Sequence, residues 1–186
     1  MKSPAHVKTV FDVKSHAILR NLYDNQIRID PEDSIWQRAH LAAERKNLLE
    51  QTIVNQYIKD NRVNIDIEKY EEINAQKKIT LGAGTEKNRE TVFKKWGITE
   101  NVLQRWIRER LYLEKFLQTH PPFQAIVTER KIQAYYSEYQ QNRFLGKSYD
   151  DIKDVVEQDY KKSYLQTEFK KWIDQEIRRQ KWTIYE

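Results

Sequence analysis

Residues 127–186 read VTERKIQAYYSEYQQNRFLGKSYDDIKDVVEQDYKKSYLQTEFKKWIDQEIRRQKWTIYE, and this stretch decides the fold class. Thr128 is a favourable helix N-cap, and apolar side chains then mark one helical face over residues 132–139. Apolar residues recur at helical spacing over residues 152–177, which predicts a long helix. Residues 182–185 switch to residue types that favour β-strands. A helix of this length has to bury its apolar stripe against an earlier part of the chain, so we expect the two chain ends to meet.

The composition indicates a mainly helical protein with a thin core. Its 186 residues include only four Gly and four Pro, and charged residues make up 33% of the chain. With a mean hydropathy of −0.91, most helices have only one face to bury. The core therefore depends on five Trp, eleven Tyr and six Phe. We predict one module, 1–186, with an N-terminal segment 1–30, a helical core 31–120 and a closing part 127–186.

Charge and cysteine content exclude several kinds of site. The 33 basic and 28 acidic residues are interleaved, and the net charge of +5 allows an acidic partner without requiring one. The absence of cysteine excludes disulfides, cysteine nucleophiles and cysteine-ligated metals. No apolar run approaches the roughly 20 residues of a membrane span. No apolar segment typical of a signal peptide follows residues 1–4, and the sequence alone leaves the compartment open.

The N-terminal segment contains the predicted exception to an all-helical fold. Residues 7–19 are rich in β-formers and predict a short hairpin, against which the terminal strand 182–185 pairs. This small β element would join the two ends of the chain. Asp30 and Pro31 then predict the start of a helix that ends near Asn61.

Shorter helices are predicted over residues 62–120. Asp66 is the expected cap of one of them, with Tyr70 and Ile73 facing inward. The other predicted boundaries are a flexible loop at 81–85, an αL C-cap at Gly97, an N-cap at Thr99 and a helix end at 120–122.

The residue types that carry catalysis or hold metals form no recognisable constellation. Four scattered histidines lack a second ligand at helical spacing: His6, His16, His40 and His120. Gly82 and Gly84 lack the further glycines and the lysine of a phosphate-binding loop. No serine stands in the context of a nucleophile elbow. We therefore expect no enzyme, with no catalytic residue, no metal, no cofactor and no small-molecule substrate.

Residues 91–111, TVFKKWGITENVLQRWIRERL, have the form of a helix-turn-helix with Gly97 in the turn. Five basic side chains on its helices could reach phosphates: Lys94, Lys95, Arg105, Arg108 and Arg110. Three acidic side chains on the second helix would repel DNA: Glu100, Glu109 and Glu114. Two amphipathic helices joined by a glycine-containing turn are also common in helical proteins that do not bind DNA. DNA binding is therefore an alternative hypothesis, and we expect no nucleic-acid partner.

Several short segments resemble, in their order, the N-terminal domain of SurA-type periplasmic chaperones. Residues 44–58, ERKNLLEQTIVNQYI, are similar to that family's L-x-x-L-I-x-x-x-L helix. The further matching segments are 63–66 (VNID), 96–99 (WGIT), 106–113 (WIRERLYL), 127–136 (VTERKIQAYY), 148–152 (SYDDI) and 182–185 (WTIY). The segments occur in this order within roughly residues 40–186. The chain departs from the family pattern at 61–63, where a glycine is missing, and at Asp66, which replaces a capping serine.

Many proteins of that family carry a parvulin prolyl-isomerase domain between the tyrosine-rich helix and the closing helix. Here residues 144–148 join the two helices directly. The resemblance implies a multi-helix chaperone module without the isomerase. It also implies an ATP-independent holdase, located in the periplasm or otherwise outside the cytoplasm, which takes part in outer-membrane protein biogenesis. A non-catalytic adaptor or assembly protein is a further alternative, and the sequence allows a homodimer.

The partners that this resemblance implies are unfolded or partly folded polypeptides. Exposed aromatic side chains offer such clients contacts that tolerate many sequences. The candidate client-binding residues are Trp36, Tyr57, Tyr70, Trp96, Trp106, Tyr112, Phe116, Tyr135 and Tyr139.

Overall fold

A computed structural model describes residues 9–24 and 38–180, and the regular elements in these ranges are helices. In chain order they are α1 (Val10–Asp24), α2 (Arg38–Asp60), α3 (Lys69–Gly82), α4 (Glu86–Trp96), α5 (Glu100–Thr119), a 3-10 turn (Pro121–Phe123), α6 (Glu129–Tyr139) and α7 (Tyr149–Gln180). The mainly α fold class predicted from the sequence is confirmed.

The chain divides into two compact units, and the boundary falls within α5. The N-terminal unit comprises the described residues up to Glu114, and the C-terminal unit comprises those from Lys115 onward. The prediction of a single functional module stays a prediction.

Helix α1 is the central element of the N-terminal unit. Ala17, Ile18 and Leu19 are fully buried, and the helix packs against α2 and α3. Its apolar side chains join residues of α3, α4 and α5 in one core cluster. α1 and α3 approach so closely that a Cβ at Gly82 would lie 1.9 Å from the carbonyl oxygen of Leu22. Only glycine fits at this crossing.

Several helix ends follow the predicted chemistry. Gly97 ends α4 in the αL conformation, with φ of 66°. The hydroxyl of Thr99 accepts a hydrogen bond from the backbone N–H of Val102 at 3.3 Å, and the hydroxyl of Thr128 accepts one from Lys131 at 3.4 Å. The predicted caps at Gly97, Thr99 and Thr128 are confirmed.

Up to Gln180, the C-terminal unit shows two aromatic clusters. The first half of α7 packs against α6 through Val156, which is fully buried beside Ile132 and Tyr136. Farther along α7, Trp172 contacts Phe116 and Phe123, with ring centroids 5.3 and 6.0 Å apart. The prediction that aromatic side chains supply much of the core holds for this unit.

The predicted hairpin at 7–19 is wrong for the part that the structure describes. Residues Val10–Asp24 are helical, and Thr9 directly precedes this helix. The hydroxyl of Thr9 accepts a hydrogen bond from the backbone N–H of Asp12, whose carboxylate accepts one from the backbone N–H of Thr9 at 2.8 Å. This reciprocal cap outweighs the β-propensity of the residues that follow. The predicted terminal strand 182–185 and helix start 30–33 lie outside the described residues.

The predicted cap at Asp66 is also wrong. Helix α3 begins two residues later, after Glu68 as its N-cap. The carboxylate of Glu71 accepts a hydrogen bond from the backbone N–H of Glu68 at 2.8 Å. The acidic residues of the first turn therefore determine this helix start.

Candidate functional site

The candidate client-binding aromatics have different environments. Trp106, Phe116 and Tyr135 are buried in the two cores. Tyr57, Trp96, Tyr112 and Tyr139 are half-buried. Tyr70 is 56% exposed. Trp36 lies outside the described residues.

The buried aromatics have structural contacts. The indole ring of Trp106 meets the ring of Tyr23 edge-on, with centroids 5.6 Å apart. The Tyr135 hydroxyl donates to the carboxylate of Asp159 at 2.8 Å. Burial, followed by hydrogen bonding and the charge of Asp159, raises the pKa of Tyr135 and keeps its hydroxyl protonated. Such contacts are typical of core residues rather than of a free binding surface.

Helix α3 exposes an apolar stripe on the side opposite its buried face. Tyr70, Ile73 and Leu81 are 56%, 42% and 70% exposed. Ala75 and Ile79 provide the buried face, with exposures of 2% and 0%. The prediction that Tyr70 and Ile73 face inward is therefore wrong, because the helix turns its smaller apolar face toward α1.

A groove of about 610 Å³ runs beside this stripe. Its lining residues come from α3 and α4 and are Ile73, Gln76, Lys77, Thr80, Leu81, Glu86 and Arg89. The Thr80 hydroxyl donates to the Glu86 carboxylate at 3.1 Å, and Glu86 is paired with Arg89. The guanidinium of Arg89 in turn lies over the ring of Phe93, 5.5 Å from its centroid. The Thr80–Glu86 hydrogen bond links the two helices that form the groove, and the other two contacts lie within α4.

Polar contacts on both flanks hold α3 in place. The ammonium group of Lys78 donates to the hydroxyl of Tyr23 at 3.3 Å and lies 4.6 Å from the centre of its ring. On the other flank, Arg108 of α5 pairs with Glu72 at 2.8 Å. The stripe is thus presented on a well-anchored helix, as binding side chains require.

The helix-turn-helix form is present, but its arginines contact acidic side chains. Arg108 pairs with Glu72, and Arg110 pairs with Glu114 at 2.8 Å. Arg105 lies 3.9 Å from the carboxylate of Asp12. Leu103 and Ile107 of the same helix are fully buried. In the N-terminal unit α5 therefore has the position of a core helix, and several of the basic groups proposed for phosphate contact are compensated within the protein.

A buried polar network connects α1, α2 and α5. Nδ1 of His16 lies 3.3 Å from the carboxylate of Glu44, and Nε2 lies 3.1 Å from the amide oxygen of Gln51. The Gln51 amide nitrogen donates to Glu109 at 3.3 Å. Arg20 completes the network through two hydrogen bonds to Glu44. The polar groups of this network are hydrogen-bonded to one another, which indicates a structural role.

The charge state of Glu44 follows from its neighbours. Its side chain is only 8% exposed, and this burial alone would raise the pKa of the carboxyl. Hydrogen bonds from His16 and Arg20 outweigh burial and hold the pKa of Glu44 below its ordinary value near 4.5. Glu44 is therefore ionised in the folded protein at neutral pH.

Neither a metal cluster nor a membrane span is found in the described part of the chain. Within residues 9–24 and 38–180, no three His, Asp or Glu side chains converge in a way that could hold a metal ion. None of the helices in these ranges has the length and apolar character that crossing a membrane needs. The chain matches no family model, no curated protein and no solved structure.

The sequence indicates Tyr70 as a candidate client-binding residue but predicts that its side chain faces inward, and it indicates neither Ile73 nor Leu81 as a candidate. The sequence pattern places Ile73 in the core and Leu81 in a flexible loop. A signal for both was present, because α3 carries apolar residues on two opposite faces. A surface helix with one buried face has no structural need for the second apolar face.

Proposed function

We propose that this protein is an ATP-independent holdase that binds unfolded or partly folded polypeptides along the exposed stripe of α3. The observation that carries the proposal is the exposure of Tyr70, Ile73 and Leu81 on one face of an anchored helix. Apolar contact is non-directional and suits clients of many sequences. The surrounding charged side chains keep such a surface soluble.

The proposed occupant is an extended client segment that carries apolar and acidic side chains. The exposed apolar side chains of the stripe favour a client segment that carries apolar side chains. Lys77 is exposed on the same face of α3, and its positive charge favours a client segment that also carries an acidic side chain. The segment order that resembles SurA-type chaperones also favours polypeptide binding. An extracytoplasmic location and the absence of prolyl-isomerase activity belong to the same proposal.

Truncating the stripe is expected to abolish client protection without unfolding the protein. In a variant with Tyr70→Ala, Ile73→Ala and Leu81→Ala, each change removes up to about 1 kcal/mol of apolar contact with the client. Together the three changes should lower client affinity by up to about a hundredfold. The measurement is light scattering from reduced, chemically unfolded α-lactalbumin diluted into each variant. Circular dichroism of each variant checks that its helices are intact.

The matched control removes exposed apolar side chains elsewhere. Ile126 and Val155 are 69% and 60% exposed in the C-terminal unit. A variant with Ile126→Ala and Val155→Ala should protect the client as well as the wild type does. If both variants lose client protection equally, or if the α3 variant protects the client fully, the assignment of client binding to this stripe is refuted.

A further inference from the structure

Two side chains of the stripe and the exposed Lys77 between them recur at intervals of four residues. Ile73, Lys77 and Leu81 lie about 6 Å apart along the helix axis, because the helix rises about 1.5 Å per residue. In an extended polypeptide, alternate side chains share one face and lie about 6.6 Å apart. An extended segment laid along α3 therefore presents one side chain to each of these three positions.

The central position carries a charge that the described residues leave uncompensated. None of the ion pairs within residues 9–24 and 38–180 involves Lys77. Neighbouring acidic groups are engaged elsewhere: Glu72 pairs with Arg108 at 2.8 Å, and Glu86 pairs with Arg89. The groove thus offers a cation between two apolar contacts.

Building on the proposed function, we propose that the stripe selects extended segments of the pattern apolar–x–acidic–x–apolar. The outer side chains contact Ile73 and Leu81, and the central carboxylate meets Lys77. A basic residue at the central position faces a like charge. Moving the acidic residue by one position turns its carboxylate to the opposite face of the segment.

Synthetic peptides test this pattern directly. The matched peptide is GSITETVSG, and its comparators are GSITQTVSG, GSITKTVSG and the shifted GSIETTVSG. Chemical-shift titration of the labelled protein measures each Kd. We expect the matched peptide to bind about threefold more tightly than the glutamine peptide, which corresponds to one exposed ion pair. The lysine peptide should bind more weakly than the glutamine peptide, and the shifted peptide should lose the advantage.

Charge reversal on the protein provides a second test of the proposed peptide selectivity. Lys77→Glu should reverse the order of the glutamate and lysine peptides. Lys170→Glu, an exposed position on α7, makes the same charge change away from the stripe and should leave the order unchanged. An unchanged order in the Lys77→Glu variant would overturn the proposed selectivity.

The outcomes separate this inference from the proposed function. Equal binding of all four peptides, abolished by truncation of the stripe, would overturn the selectivity and support the binding site. If client protection depends on the stripe but none of the four peptides binds, the selectivity is likewise overturned and the binding site is supported. If neither the client nor any peptide depends on the stripe, the proposed function itself is refuted.

Discussion

Gly82→Ala is expected to destabilise the N-terminal unit by about 3 kcal/mol, as overpacking of a close contact does. The added Cβ would lie 1.9 Å from the carbonyl oxygen and 2.7 Å from the carbonyl carbon of Leu22. Both are backbone atoms, so relief requires α1 and α3 to separate rather than a side chain to rotate. At an ordinary helical position the same substitution stabilises by roughly 1 kcal/mol. Urea denaturation followed by circular dichroism measures the difference.

Gly146→Ala is the matched control for this effect. Gly146 has a φ of 70°, and no atom beyond its two chain neighbours lies within 4 Å of a Cβ built there. Its substitution should cost about 1 kcal/mol through backbone strain alone. A Gly82→Ala protein as stable as the wild type would show that α1 and α3 do not cross as closely as described.

Glu44→Ala is expected to cost about 3 kcal/mol, because it removes one partner of a buried charged network. His16, whose side chain is 3% exposed, would lose its carboxylate partner, and Arg20 would lose both of its bonds to Glu44. Glu44→Gln keeps the shape and one acceptor oxygen, so it should fall between the alanine variant and the wild type. Equilibrium denaturation in urea is again the measurement.

A partly exposed carboxylate provides the comparison for Glu44. Glu157 pairs with Lys161 at 2.6 Å on the surface of α7, where its side chain is 29% exposed. Glu157→Ala should change stability by no more than about 0.5 kcal/mol. Equal costs at the two positions would contradict the structural role of the buried network.

The same network makes stability depend on acidic pH. The folded state holds the pKa of Glu44 below its ordinary value near 4.5. Its contribution is therefore complete above that value and is lost as the pH falls through the lower folded-state pKa. The gap in stability between the wild type and Glu44→Gln should narrow as the pH is lowered below about 4. A gap that stays constant over this range would show that the charge of Glu44 does not contribute.

Local chemistry made most helix ends predictable. Gly97, Thr99 and Thr128 act through groups only a few residues away, so the sequence contains the whole interaction. The same logic applies to Thr9 and Asp12, whose reciprocal bonds start α1. The β-forming residues around this cap predict a hairpin, and that prediction is wrong because the cap stabilises a helix start.

Long-range pairing explains what the sequence did not reveal. His16 meets Glu44 and Gln51 across 28 and 35 residues, and no spacing rule relates these positions. For a similar reason, the sequence does not reveal which apolar face of α3 is exposed. Which of two apolar faces is buried depends on the crossing with α1, where Gly82 permits close approach to Leu22.

Site-specific photo-crosslinking tests the proposed client-binding surface most directly. p-Benzoylphenylalanine placed at position 81, where Leu81 is 70% exposed, should cross-link to an unfolded client. The same group at position 155, where Val155 is 60% exposed, serves as the reference. We predict strong cross-linking from position 81 that is competed by GSITETVSG, and little from position 155. Equal cross-linking from both positions, or none from position 81, would contradict the proposal that clients bind along α3.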